Sequence, residues 1–337
     1  MRCATVQASP QAPPDPIPTS PDAPVRAASR PPPNTLGTKG DDVEEWLDLH
    51  FFRPIGARIT RVFYPTRVTP DQVTLISLVI GLVAGHLFLY TSPWLNAAGF
   101  ALFIVSDLFD SADGQLARLR GTSTRFGRAL DGSSDALRFV NLGAHLLVRL
   151  VLHGGWTWGA AIVMVLAGAL SHSTQSSAID FVRHAYLALV NGKGSELDVD
   201  GVELPDAGSW VQRVAATIYR GYAKRQARMF PQTVALVRAM RNHQLGPAAS
   251  AAYRARMSPL LSWCAWLGQN IRFIVLGVTA VAGWPAGLLW VTILPMNAIL
   301  IALIVAQERR AGALLRAGLL TPSPRPPAPP VAPIGGD

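Results

Sequence analysis

A chain of 337 residues in which half are hydrophobic and only 15% are Asp, Glu, Lys or Arg is too poor in charge and too rich in apolar runs for a soluble globule. It reads instead as an integral membrane protein. The formal net charge of +9 would suit nucleic acid, but the basic residues flank apolar spans rather than forming a hydrophilic domain, so no nucleic-acid partner is expected. Cys3 and Cys264 offer neither a disulfide framework nor zinc spacing, which leaves a reducing, cytoplasm-facing setting as the default.

Residues 1–42 are rich in Pro, Ala and Ser, with PPDPIPTSPDAP and RPPPNT as the clearest runs. Such a segment cannot bury enough apolar surface to offset its ordering entropy and is expected to be a disordered tail. It has no uninterrupted apolar stretch of the kind a secretory signal needs. Residues 43–68 turn amphipathic: Phe52, Ile55, Ile59, Val62 and Phe63 recur at helical spacing, while Arg53, Arg58 and Arg61 fall mostly elsewhere. That pattern predicts a helix lying in the membrane interface. In Val68-Thr69-Pro70-Asp71, Thr69 has the chemistry of an N-cap and Pro70 that of a first helical residue.

Residues 69–318 are expected to hold about six transmembrane helices. The first two cover about 72–90 and 94–120, with Ser92-Pro93 turning between them; a third runs over about 127–152 and a fourth over about 156–190. Residues 191–257 regain charge, acidic from Ser195 to Asp206 and basic from Tyr219 to Met240, and read as a cytoplasmic insertion. Its basic stretch, with Lys224, Arg225, Arg228 and Arg238, suits either a solvated helix face or an anionic membrane surface. Charge vanishes again from Phe273 to Gln307, and Trp284-Pro285 divides that run into the fifth and sixth spans. Residues 319–337 form a second Pro-rich tail. With six spans nearly every Lys and Arg falls on one side, so the positive-inside rule places both termini there, in a multi-pass protein of the inner (cytoplasmic) membrane.

From Gln72 to Ser106 there is no Asp, Glu, Lys or Arg, and then carboxylates arrive together. Asp110 and Asp113 share one helix face, as do Asp131 and Asp135. Ionisable groups at the end of a membrane helix are costly and mark a functional site. Four carboxylates this close repel unless cations intervene, so a divalent metal site is the simplest resolution. Hard oxygen donors, with no Cys or His in the stretch, favour Mg2+ or Mn2+.

The spacing D-x2-D-G-x2-A-R-x8-G-x3-D-x3-D, running from Asp110 to Asp135, resembles the signature of the CDP-alcohol phosphotransferase (CDP-alcohol phosphatidyltransferase) family. The resemblance implies an all-α membrane enzyme of phospholipid biosynthesis with a two-metal site, acting as a homodimer. It implies Asp110, Asp113, Asp131 and Asp135 as metal ligands, with Asp135 also the base that takes the proton of the acceptor hydroxyl as CMP leaves. Asp110, Asp113, Gly114, Ala117, Arg118, Gly127 and Asp131 would bind the nucleotide. Small residues of this kind also pack helices closely; beside Asp113 the nucleotide is the expected reason for Gly114, while Gly127 suits either, and Arg118 can pair with phosphate or with carboxylates. Arg138, Asp180 and Arg183 are candidates for the acceptor side, with His172 and Gln175 on the same fourth span; arginines there also suit headgroup contact. Asp107 lies outside the pattern, one turn before Asp110.

The donor implied first is CDP-diacylglycerol. A polar CDP-alcohol of the choline, ethanolamine or inositol type, with a lipid or sugar-phosphate acceptor, is the alternative. A cation transporter would place acidic residues near the midplane of several spans, and an inactive scaffold would show a broken motif; neither pattern is present.

Overall fold

The computed structural model describes residue 43 and residues 45–191, 210–242 and 247–317. The two expected Pro-rich tails and the acidic 195–206 stretch lie outside the described residues. Those described are helical throughout, with no strand among them. A π-helical turn, Asp48–Phe52, leads into α1 (Arg53–Phe63), α2 (Pro70–Leu87), α3 (Pro93–Arg120), α4 (Arg125–Gly154) and α5 (Trp158–Asn191). After these come α6 (Trp210–Met229), α7 (Pro231–Arg241), α8 (Pro247–Trp266), α9 (Gln269–Val281), α10 (Ala286–Ile293) and α11 (Pro295–Arg316). The protein is an all-α polytopic membrane protein.

Five helical stretches among the described residues are long and apolar enough to cross a membrane: Pro70–Leu87, Pro93–Arg120, Leu130–Gly154, Ala248–Val281 and Ala286–Arg316. A helix, α5 (34 residues), occupies the stretch of the expected fourth span, but it is not one of these five. Its apolar stretch is cut short by the polar run Ser171-His172-Ser173-Thr174-Gln175-Ser176-Ser177, of which Gln175 and Ser177 are buried while His172, Ser173, Ser176 and Ser177 line a cavity. The fifth span begins earlier than hydropathy suggested, because α8 continues into α9 across a break at Leu267-Gly268. Large apolar side chains such as Val79, Val163, Leu166, Leu170 and Ile301 stay exposed, as lipid-facing positions do.

The α2–α3 hairpin is closed by small residues and reciprocal hydrogen bonds. Thr69 caps α2 by accepting from Gln72 N at 3.2 Å while the Gln72 side chain accepts from Thr69 N. Ser77 Oγ donates to Ser106 O at 2.9 Å and Ser106 Oγ donates to Ser77 O at 2.8 Å. Such pairs satisfy polar groups where no water is available. At the far end of the bundle, Arg149 on α4 donates to Asn96 Oδ1 and Phe88 O, and Asn96 Nδ2 donates to Ala280 O on α9.

Against α3, α1 buries Gly56, Ala57 and Thr60, with Thr60 Oγ1 donating to Ala112 O at 3.0 Å. Of the apolar stripe expected on this helix, Phe52 is buried and Val62 faces outward. Arg120 closes the α1–α2 connection by donating to the carbonyls of Phe63, Tyr64, Thr66 and Val68. The described residues of the 191–257 segment are more integrated than an insertion need be. Lys224, Arg228 and Arg238 are exposed, yet Phe230, Val234, Leu236 and Val237 join the largest hydrophobic cluster with Phe181, Tyr186, Met257 and Leu303.

Candidate active site

The carboxylates gather where α3 ends and α4 begins. Gly121, at φ +65°, closes α3 in the left-handed conformation, and Thr124 opens α4 by accepting from Gly127 N at 2.9 Å. This short reversal sets Asp110 and Asp113 against Asp131. One side-chain oxygen from each of the three lies within 4.8 Å of the others. Asp113 is buried, and Thr74 Oγ1 of α2 donates to its Oδ2 at 2.5 Å. Three oxygen ligands converging from two rigid helices fit a hard divalent cation.

Asp135 stands beside this trio rather than in it. Its Oδ1 is held by Arg138 Nη2 one turn further along α4, and its side chain remains 39% exposed. Arg138 itself is buried beneath the carboxylates. It donates to Asp110 Oδ1 at 2.9 Å, Asp107 Oδ1 at 3.2 Å and Ser106 Oγ at 2.8 Å. A Cβ at Gly81 would overlap the Arg138 Cδ, so the glycine gives this guanidinium its channel between α2 and α3. Asp107, outside the signature, therefore belongs to the charge network that anchors Arg138.

A cavity of about 760 Å3 opens over the cluster. Asp110, Asp113, Asp131, Asp135, Gly114 and Arg118 line one part, and the Arg118 guanidinium folds over Gly114. Ala117 and Gly127 are not among the lining residues; Gly127 instead serves the N-cap of α4. Arg138 is likewise absent from the lining, whereas Asp180 and Arg183 are in it. His172 lines the cavity with its ring centroid 4.3 Å from that of Phe139. Gln175 lies behind, accepting from Arg272 Nη2 at 2.6 Å through Oε1 and donating to Thr292 O and Asn297 Oδ1.

Sequence reading did not single out several lining residues: Glu45, Asp48, Tyr222, Asn270 and Arg272. Tyr222 donates to Asp180 Oδ2 at 2.9 Å. Glu45 accepts from Arg183 Nη2 at 3.0 Å and from Asn270 Nδ2 at 2.9 Å. Burial pushes the Glu45 carboxyl above its ordinary range, with Arg183 acting against that shift. Arg272 had a legible signal, being a lone arginine in an otherwise apolar helical run.

Residues 67–190 match the family model described as CDP-alcohol phosphatidyltransferase. The chain carries a CDP-alcohol phosphatidyltransferase domain. Over 138 residues it is 32% identical to a phosphatidylinositol phosphate synthase of Mycobacteroides abscessus, covering 41% of this chain and 57% of that protein. Over 100 residues it is 36% identical to a CDP-diacylglycerol–serine O-phosphatidyltransferase of Methanocaldococcus jannaschii, covering 30% and 44%. A bifunctional IPC transferase and DIPP synthase of Thermococcus kodakarensis is 26% identical over 141 residues, covering 42% and 32%. The chain thus spans from about a third to just over half the length of these relatives. The phosphatidyltransferase domain supplies the whole Asp cluster, while Glu45, Asp48, Tyr222, Asn270 and Arg272 come from outside it.

Proposed function

We propose that this protein transfers a phosphatidyl group from CDP-diacylglycerol to an acceptor alcohol, releasing CMP. The observation that carries this reading is the convergence of Asp110, Asp113 and Asp131 beside Asp135, in a cavity at the end of two membrane-type helices. Asp110, Asp113 and Asp131 would hold Mg2+ or Mn2+, with Asp135 at the edge of a two-ion site. Such ions, when bound, neutralise charge on the pyrophosphate and on the CMP leaving group. The carboxylates fix where the donor's phosphates can sit, and Gly114, with only the flexible Arg118 guanidinium over it, lets a nucleotide approach the α3 backbone once that side chain turns to the phosphates. Asp135 takes the proton of the acceptor hydroxyl as that oxygen bonds to the phosphorus nearest the diacylglycerol. The bond from that phosphorus to the CMP oxygen breaks, and CMP departs. Arg138 orients Asp135 and offsets part of the negative charge gathered below the site. Asp180 and Arg183 face the acceptor.

The distribution of Lys and Arg supports a cytoplasmic active site and cytoplasmic termini in the inner membrane, with α1 at the interface. A homodimer is proposed from the family resemblance.

The test is CMP release by the full chain in detergent, with a panel of CDP-linked donors, with Mg2+ or Mn2+ and with chelator. Metal-dependent release from CDP-diacylglycerol that is lost in Asp135→Asn supports the reading. Release only from a polar CDP-alcohol would replace the donor, and silence with every CDP donor would overturn the reaction.

A further inference from the structure

The cavity is completed by a carboxylate from outside the family-matched domain. Glu45, just ahead of the π-helical turn, is 7% exposed. Its two oxygens are divided between Arg183 of α5 and Asn270 of α9, and Asn270 also donates to Asp48 Oδ1 at 2.9 Å. A Cβ at Gly268 would overlap the Glu45 carboxylate. The α8–α9 break is therefore shaped to admit this group, and a buried charge of this kind persists only when paired.

The pairing changes what the pocket can recognise. Outside the signature and its neighbour Asp107, the charged lining residues are Arg53, Arg183 and Arg272 against Glu45, Asp48 and Asp180. That is a formal balance. A phosphate-bearing acceptor would bring one to two more negative charges, with Arg183 already engaged. Much of the uncharged polar lining is hydroxyl and amide, including Ser173, Ser176, Ser177, Tyr222, Gln269 and Asn270, beside the apolar Phe52, Phe139 and Ile179. Arg183 Nε and Arg272 Nε are buried without a hydrogen-bond partner. Donors of this kind, interleaved with carboxylates that accept, are complementary to several hydroxyl groups on one molecule, each of which both donates and accepts.

We infer that Glu45, lodged against Arg183, holds this end of the cavity in charge balance and makes it selective for an uncharged, hydroxyl-rich acceptor alcohol over a phosphorylated one. The inference rests on the transferase reading above and adds the acceptor's chemical class.

The experiment measures CMP release from CDP-diacylglycerol by the full chain in detergent with Mg2+. The acceptors are glycerol and myo-inositol, each beside its monophosphate, with serine as a charged amino alcohol. The quantity read is the ratio of kcat/KM within each pair, which is insensitive to the folded fraction of a variant. Wild type is expected to favour the unphosphorylated member by at least about tenfold, and Glu45→Gln to shift the ratio about tenfold toward the phosphorylated member, because one like charge is removed. Glu45→Asp, which keeps the charge, is expected to keep the preference. A wild-type preference for a monophosphate or for serine would overturn the inference and leave the reaction standing. An unchanged ratio in active Glu45→Gln would do the same, and the wild-type ratio remains decisive if that variant does not fold. No CMP from any acceptor or CDP donor would overturn the transferase reading itself.

Discussion

The two ends of the cavity are built in opposite ways. The Asp end comes from a single stretch, Asp110 to Asp135, carried on two helices joined by a short turn, and the charged groups it sets in the cavity lining are its four Asp against Arg118 alone. The arginine end is assembled from the segment before α1, from α5, from α6 and from the α8–α9 break; Glu45 and Asn270 meet although 225 residues separate them. A rigid helix pair suits groups that must keep fixed spacing around a metal and a phosphate. Remote segments suit selection, because each can vary without disturbing the chemistry.

Substitutions should therefore separate the two ends by kind as well as by size. The largest loss is expected at Asp135→Asn, about 10^3-fold in kcat, the scale of a missing general base; metal binding, followed by Mn2+ electron paramagnetic resonance, should largely persist. Asp113→Asn should lose at least about 100-fold in activity and weaken Mn2+ binding as well, and an Asp113→Asn protein that binds Mn2+ normally would remove it from the ligand set. Arg138→Ala comes next. Stranding Asp107, Asp110 and Asp135 without their shared cation should lower stability by about 3 kcal/mol, read as an earlier thermal midpoint in detergent, together with reduced kcat. The smallest effect belongs to the selective end. Tyr222→Phe removes one hydrogen bond to Asp180 and should raise the acceptor KM about fivefold, the worth of one such bond, with kcat and the CDP-donor KM unchanged. A Tyr222→Phe variant with lowered kcat and normal KM would blur the division between the two ends.

The same contrast governs how much could be read in advance. Asp110 and Asp113 share a face by helical periodicity, and the short reversal after Gly121 brings Asp131 to them, so the cluster was legible from local sequence. Thr69 capping α2 was legible for the same local reason. Arg138 reads from sequence as an acceptor-side arginine, because nothing local shows that Gly81 on another helix leaves room for its side chain to turn under the carboxylates. Glu45 and Asn270 carry no signal at all, since each is an ordinary polar residue until the chain brings them together. The fifth span was placed too late because Asn270 and Arg272 lower the local hydropathy. In the fold those residues face the cavity, and the apolar run continues behind them into α8. The polar run in α5 misleads hydropathy similarly, by lining the site within a membrane-type helix.

The central claim is that the Asp cluster joins a lipid phosphate to an alcohol at the expense of a CDP bond. The most direct test incubates the purified chain with CDP-diacylglycerol, acceptor and Mg2+ or Mn2+, and quantifies CMP by chromatography and the new phospholipid by mass spectrometry. The account predicts equal amounts of CMP and a phosphodiester containing the acceptor, both abolished by chelator and by Asp131→Asn. CMP accompanied by phosphatidic acid alone, or product formation that survives chelation, would contradict it.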